Sequence, residues 1–130
     1  MRLPVLSPTL HGVLDYAIAS ALIMFPLLLN LGADSALALW LSVAAGILMI
    51  GYSLCTDYPW HISSAIPYDL HLAFDLLAGV SFIVGPFVFG FGMVASIYYM
   101  VMGILVLSIV AISKRWSNSD ATDLNIERVG

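Results

Sequence analysis

Along the chain, charged side chains leave three long gaps, at 16–33, 35–56 and 76–113, of 18, 22 and 38 residues. Crossing a hydrocarbon layer about 30 Å thick takes about 20 residues at a rise of about 1.5 Å each. The first two gaps each predict one helix, and the third is long enough for two. Gly85-Pro86 and Gly90-Phe91-Gly92 mark its turn, through a proline that weakens a helix and glycines that free the backbone. The pattern predicts four helices, at roughly 8–31, 36–56, 67–89 and 93–113. Backbone groups in lipid must pair internally, and no segment shows the ten-residue alternation of a membrane barrel strand. The expected fold is an all-α membrane protein with four transmembrane helices.

Composition sharpens this reading. The 130 residues are 62% hydrophobic, with a mean hydropathy of +1.03 and only four basic and eight acidic side chains. A soluble domain carries about a quarter charged residues, and a short chain cannot hide so much apolar surface from water. Lys114, Arg115, Asp120, Asp123, Glu127 and Arg128 crowd the last 17 positions. Residues 1–113 therefore read as the transmembrane domain and 114–130 as a polar, disordered tail. The few scattered basic residues exclude a nucleic-acid surface, which leaves the lipid bilayer as the first partner. Cys55, the lone cysteine, excludes an internal disulfide and reads as an apolar filler at a helix end.

Pro4, Pro8, His11 and Asp15 interrupt what would be the apolar core of a secretory signal, so the first helix is expected to be a retained span. Arg2 precedes helix 1 and Lys114 and Arg115 follow helix 4, whereas the 1–2 and 3–4 connections lack Lys and Arg. The positive-inside rule then predicts that both termini are cytoplasmic.

The chain also repeats itself. A shift of 60 lays His11 on His71, Asp15 on Asp75, Ile23 on Ile83, Pro26 on Pro86 and Gly32 on Gly92. At a shift of 57, Gly46-Ile47-Leu48 falls on Gly103-Ile104-Leu105, which implies a first connection three residues longer. Each unit, about 8–56 and 67–113, is a helix hairpin with an even number of crossings. The halves then form a parallel repeat about an axis along the membrane normal, with both His-x-x-x-Asp segments at one depth and on one face.

These residues carry a resemblance. The run Gly85-Pro86-Phe87-Val88-Phe89-Gly90-Phe91 and the helix containing Gly103-Ile104-Leu105 are similar to the SPW-repeat family of small bacterial integral membrane proteins. Tyr52-Ser53-Leu54-Cys55-Thr56-Asp57-Tyr58 and His71-x-x-x-Asp75 resemble its two-repeat, four-helix members, over roughly residues 8–113. The name-giving tripeptide reads Phe25-Pro26-Leu27 and Gly85-Pro86-Phe87 here, with the proline retained. The resemblance implies a bacterial inner-membrane location and this hairpin architecture, and no established activity.

Candidate chemistry is confined to the duplicated pairs. With Ser7 as a helix cap and Pro8 at the first helical position, His11 lies one turn inside and Asp15 two, on one helix face. Pro67, His71 and Asp75 repeat the arrangement. A carboxylate at that depth is costly without a partner, and histidine is the partner at hand. One reading has each imidazole bonded to an aspartate, within its helix or across the pseudo-twofold axis, fixing the packing of helices 1 and 3. A second makes His11, Asp15, His71 and Asp75 a divalent-metal site. A third is proton or ion passage. Haem held between His11 and His71 is disfavoured by the carboxylate one turn from each.

The connection between helices 2 and 3 adds Asp57, His61 and Asp69 on the same side, with Pro59 and Pro67 making it a loop and Asp69 an alternative helix cap. Pro26 and Pro86 are expected to kink or end their helices, and Gly46, Gly79 and Gly103 to admit close helix approach. Phosphate loops, nucleophile elbows and zinc-finger spacings do not occur, so no enzyme reaction is expected. Two function classes follow. The first is a structural, assembly or accessory protein, self-associating or a subunit of a membrane complex, that needs no cofactor. The second is a metal-binding or ion-handling protein that uses the same four residues.

Overall fold

A computed structural model describes residues 6–56 and 65–129, with side chains as far as Ser113. Five helices follow one another: α1 (Pro8–Leu28), α2 (Leu31–Asp34), α3 (Ala36–Leu54), α4 (Tyr68–Phe89) and α5 (Met93–Val129). Among the described residues there is no strand, only an isolated bridge between Thr56 and Ile66. Helices α1, α3, α4 and the first 21 residues of α5, Met93–Ser113, are each long and apolar enough to span a bilayer. The protein is thus an all-α, four-span membrane protein. Apolar side chains such as Leu28, Leu48, Leu77, Phe87 and Met93 are exposed around the bundle, as a lipid-facing surface requires.

Local signals explain the helix starts. Ser7 caps α1, its Oγ accepting from Leu10 N–H at 3.3 Å, with Pro8 in the first helical position where a missing N–H costs nothing. Ser35 does the same for α3, accepting from Ala38 N–H at 3.2 Å. The second repeat differs from expectation. Pro67 occupies the cap position rather than the first turn, and Asp69 lies in the first turn of α4, where a negative charge suits the helix dipole.

Each repeat is a hairpin: the most extensive packing is of α1 on α3 and of α4 on α5. Of the three glycines expected to admit close approach, Gly46 and Gly103 do so in equivalent ways. A Cβ at Gly46 would lie 2.7 Å from Ala19 O and 2.7 Å from Ile23 Cγ1, and one at Gly103 2.9 Å from Gly79 O and 2.7 Å from Ile83 Cγ1. Ala19 and Gly79 are separated by 60 positions, as are Ile23 and Ile83, so the duplicated sequence builds a duplicated contact. Pro26 and Pro86 lie inside their helices, each within three residues of its end. Asn30 (φ 52°) and Gly90 (φ 62°), again 60 apart, take the same left-handed backbone conformation just after them.

The three extra residues of the first repeat are accommodated in the four-residue α2. Leu31 is buried there, and helix α3 resumes at Ser35 as α5 does at Gly92, with Leu39 N–H bonding Ser35 O and Ser96 N–H bonding Gly92 O. Gly92 therefore corresponds to Ser35, not to Gly32 as the uniform 60-residue shift suggests. At the end of the chain, the backbone of 114–129 continues α5 as helix to Val129, and neither proline nor glycine interrupts 104–129 to stop it.

Between the hairpins the main chains approach only lightly, along the α1–α5 and α3–α4 seams, with α2 resting on α5. The core across that interface combines Ile18, Leu22 and Met49 with Phe82, Met102 and Val106. Arg2, Pro4, Asp57, Tyr58, Pro59, Trp60 and His61 lie outside the described residues, as do the side chains of Lys114, Arg115 and Trp116.

Candidate functional site

His11 and Asp15 on α1 meet His71 and Asp75 on α4 between the two hairpins. Both histidines are 0% exposed and both aspartates 2%, so water does not compensate these groups. The closest approaches cross between hairpins: His71 Nε2 to Asp15 Oδ2 at 2.6 Å and His11 Nε2 to Asp75 Oδ2 at 3.0 Å. Within each helix, His11 Nε2 to Asp15 Oδ2 and His71 Nε2 to Asp75 Oδ2 are both 3.1 Å. The four atoms form a closed ring in which nitrogen and oxygen alternate.

The outward faces of the imidazoles are fixed by hydroxyls. Ser113 gives its one proton to Ile109 O at 2.8 Å, so its Oγ accepts from His11 Nδ1–H at 2.7 Å. Thr56 gives its proton to Tyr52 O at 2.6 Å and accepts from His71 Nδ1–H at 2.7 Å. With each Nδ1 protonated, each Nε2 turns inward with room for at most one more proton. Two protons at most then serve four short N···O edges. Tyr52 also donates to Asp75 Oδ1 at 2.6 Å, holding that carboxylate by its outer oxygen. Aromatic rings enclose the cluster: Tyr68 stands edge-on to His11 at 5.6 Å and parallel to His71 at 6.4 Å, and Tyr52 stands edge-on to His71 at 5.0 Å.

All four residues singled out by spacing thus come together, at one end of the bundle. Thr56 and Ser113 were not singled out, although the 57-residue shift pairs them as it pairs Gly46 with Gly103. Tyr52 has no such counterpart, since Ile109 occupies the equivalent position. The His11 and His71 rings are 5.4 Å apart with both carboxylates between them, which leaves no slot for a haem plane.

At the opposite end, three further polar links join the hairpins. Ser42 donates to Leu22 O and accepts from Tyr98 OH at 2.7 Å, and Tyr99 OH donates to Ala38 O at 2.6 Å. Asp34 Oδ2 accepts from Ala95 N–H at 2.9 Å, capping α5 from the other repeat. Gly92, in the place of Ser35, has no side chain to do so. In comparison with known proteins, no family model matches this chain, and no curated protein or solved structure matches it either.

Proposed function

We propose that this chain is a non-enzymatic scaffold or accessory protein of a bacterial inner membrane, with both termini cytoplasmic and its duplicated His/Asp pairs clamping the two hairpins together. The observation that carries this reading is the reciprocal pairing, in which each histidine approaches the aspartate of the other hairpin more closely than its own. Where main chains touch only lightly, such buried polar pairs specify geometry: an interhelical hydrogen bond in a membrane contributes about 0.6 kcal/mol on average, but removing one partner strands the other. Ile18, Leu22, Met49, Phe82, Met102 and Val106 line the interior toward the opposite end, and the cavity of about 360 Å³ that Leu22, Met49, Phe82, Met102 and Val106 border is apolar rather than a polar route. The likeness of residues 8–113 to the SPW-repeat family agrees with a small hairpin-repeat membrane protein.

Reconstitution tests the reading. Liposomes carrying the protein should hold proton and divalent-cation gradients as well as protein-free liposomes do. A flux that Asp15→Asn abolishes would overturn the scaffold in favour of ion handling.

A further inference from the structure

We propose that His11, Asp15, His71 and Asp75 form a closed four-ligand site for one divalent transition-metal ion, with zinc the best fit. The ring edges are 2.6, 3.0, 3.1 and 3.1 Å, and one ligand atom from each residue lies within 4.8 Å of every other. A point equidistant from atoms so spaced is about 2 Å from each, the length of a zinc bond to imidazole nitrogen or carboxylate oxygen.

Hydrogen bonding alone serves this ring poorly, since two protons cannot occupy four edges, whereas one central cation contacts all four atoms at once. The surroundings also match what metal ligands need. Each Nδ1–H is held by a hydroxyl, which presents the Nε2 lone pair to the centre and fixes the ring. Tyr52 occupies Asp75 Oδ1, so that carboxylate binds through one oxygen.

Donor set and burial select the ion. Two nitrogens and two oxygens in so buried a site disfavour calcium and magnesium, which require six or more oxygen donors and retain water. Zinc binds imidazole nitrogen and carboxylate oxygen and imposes no geometry of its own, so it accepts this ring as it stands, whereas copper(II) and nickel(II) would require it to be planar or tetragonal. Four protein ligands leave no open position, which makes the site a staple between hairpins rather than a reaction centre. The proposal goes beyond the scaffold reading and does not depend on it: a protein that leaks ions could still bind zinc here, and a tight one could fail to.

The experiment is titration of the full-length protein, purified in detergent and stripped with a chelator, with zinc(II) and cobalt(II). The expected result is one ion per chain, an intense visible cobalt(II) spectrum of four-coordinate nitrogen and oxygen ligation, and a higher unfolding temperature with zinc. His71→Ala and Asp15→Asn should each weaken binding at least about a hundredfold, and Asp34→Asn, at the far end of the bundle, should leave it unchanged. Circular dichroism of each variant separates lost ligands from lost fold. Folded wild-type protein that takes up no stoichiometric zinc, or uptake that survives both ligand substitutions, would overturn the proposal. So would the weak spectrum of six-coordinate cobalt.

Discussion

His71 Nε2 lies 2.6 Å from Asp15 Oδ2 on the other hairpin and 3.1 Å from Asp75 Oδ2 one turn along its own helix. The bond that matters to the histidine is therefore one between repeats. His71→Ala removes it and leaves a buried carboxylate short of a partner, an expected loss of about 3 kcal/mol. Asp15→Asn keeps an acceptor and relieves a charge, so about 1 kcal/mol or less is expected. Reversible denaturation in mixed micles of metal-free protein measures both, and a double-mutant cycle should show coupling between positions 15 and 71.

Glycine substitutions separate close approach from flexibility. Gly46→Ala and Gly103→Ala each drive a methyl against a carbonyl of the partner helix and should cost similar amounts, about 1–3 kcal/mol. Gly51→Ala, with nothing within 4 Å of its Cβ, should be neutral or slightly stabilising through helix propensity. The same denaturation assay checks the contrast.

Much of this was legible in one dimension. Charge-free stretches gave the spans to within three residues at most ends, Ser7-Pro8 announced the start of α1, and the 60-residue shift placed the His/Asp pairs on one face. A spacing of four cannot distinguish a pair closed within its helix from one closed across an axis, because both require the same two residue types. Thr56 and Ser113 escaped notice because a lone hydroxyl at a helix end carries no pattern, although their separation of 57 was there to be read. The uniform shift also mismatched Gly32 with Gly92, since identity of residue type concealed the insertion that became α2.

Proton release gives an independent reading of the cluster. When the ring holds its full two shared protons, zinc entering it must expel both, leaving the total charge unchanged. Calorimetry in buffers of different ionisation enthalpy should count about two protons per ion. Over the pH range in which both protons are held, affinity should rise with pH by about a hundredfold per unit and fall as acid competes.

The cap on α5 yields a local prediction. Asp34→Ala strips the Ala95 amide of its acceptor and should cost about 1 kcal/mol. Hydrogen exchange should accelerate in the first turn of α5 and remain unchanged in the first turn of α3, which Ser35 caps. Asp34→Asn, which keeps an oxygen acceptor, should restore most of the protection.

That reach of Asp34 also sets which halves can marry. Two copies of the second repeat would have neither a serine nor a carboxylate for the turn that opens their last helix, and two copies of the first would have a carboxylate with nothing to cap. Only unlike halves complete each other. The small helix present in one unit alone thus makes the pair a key and its lock, and commits each half to the neighbour it was synthesised with.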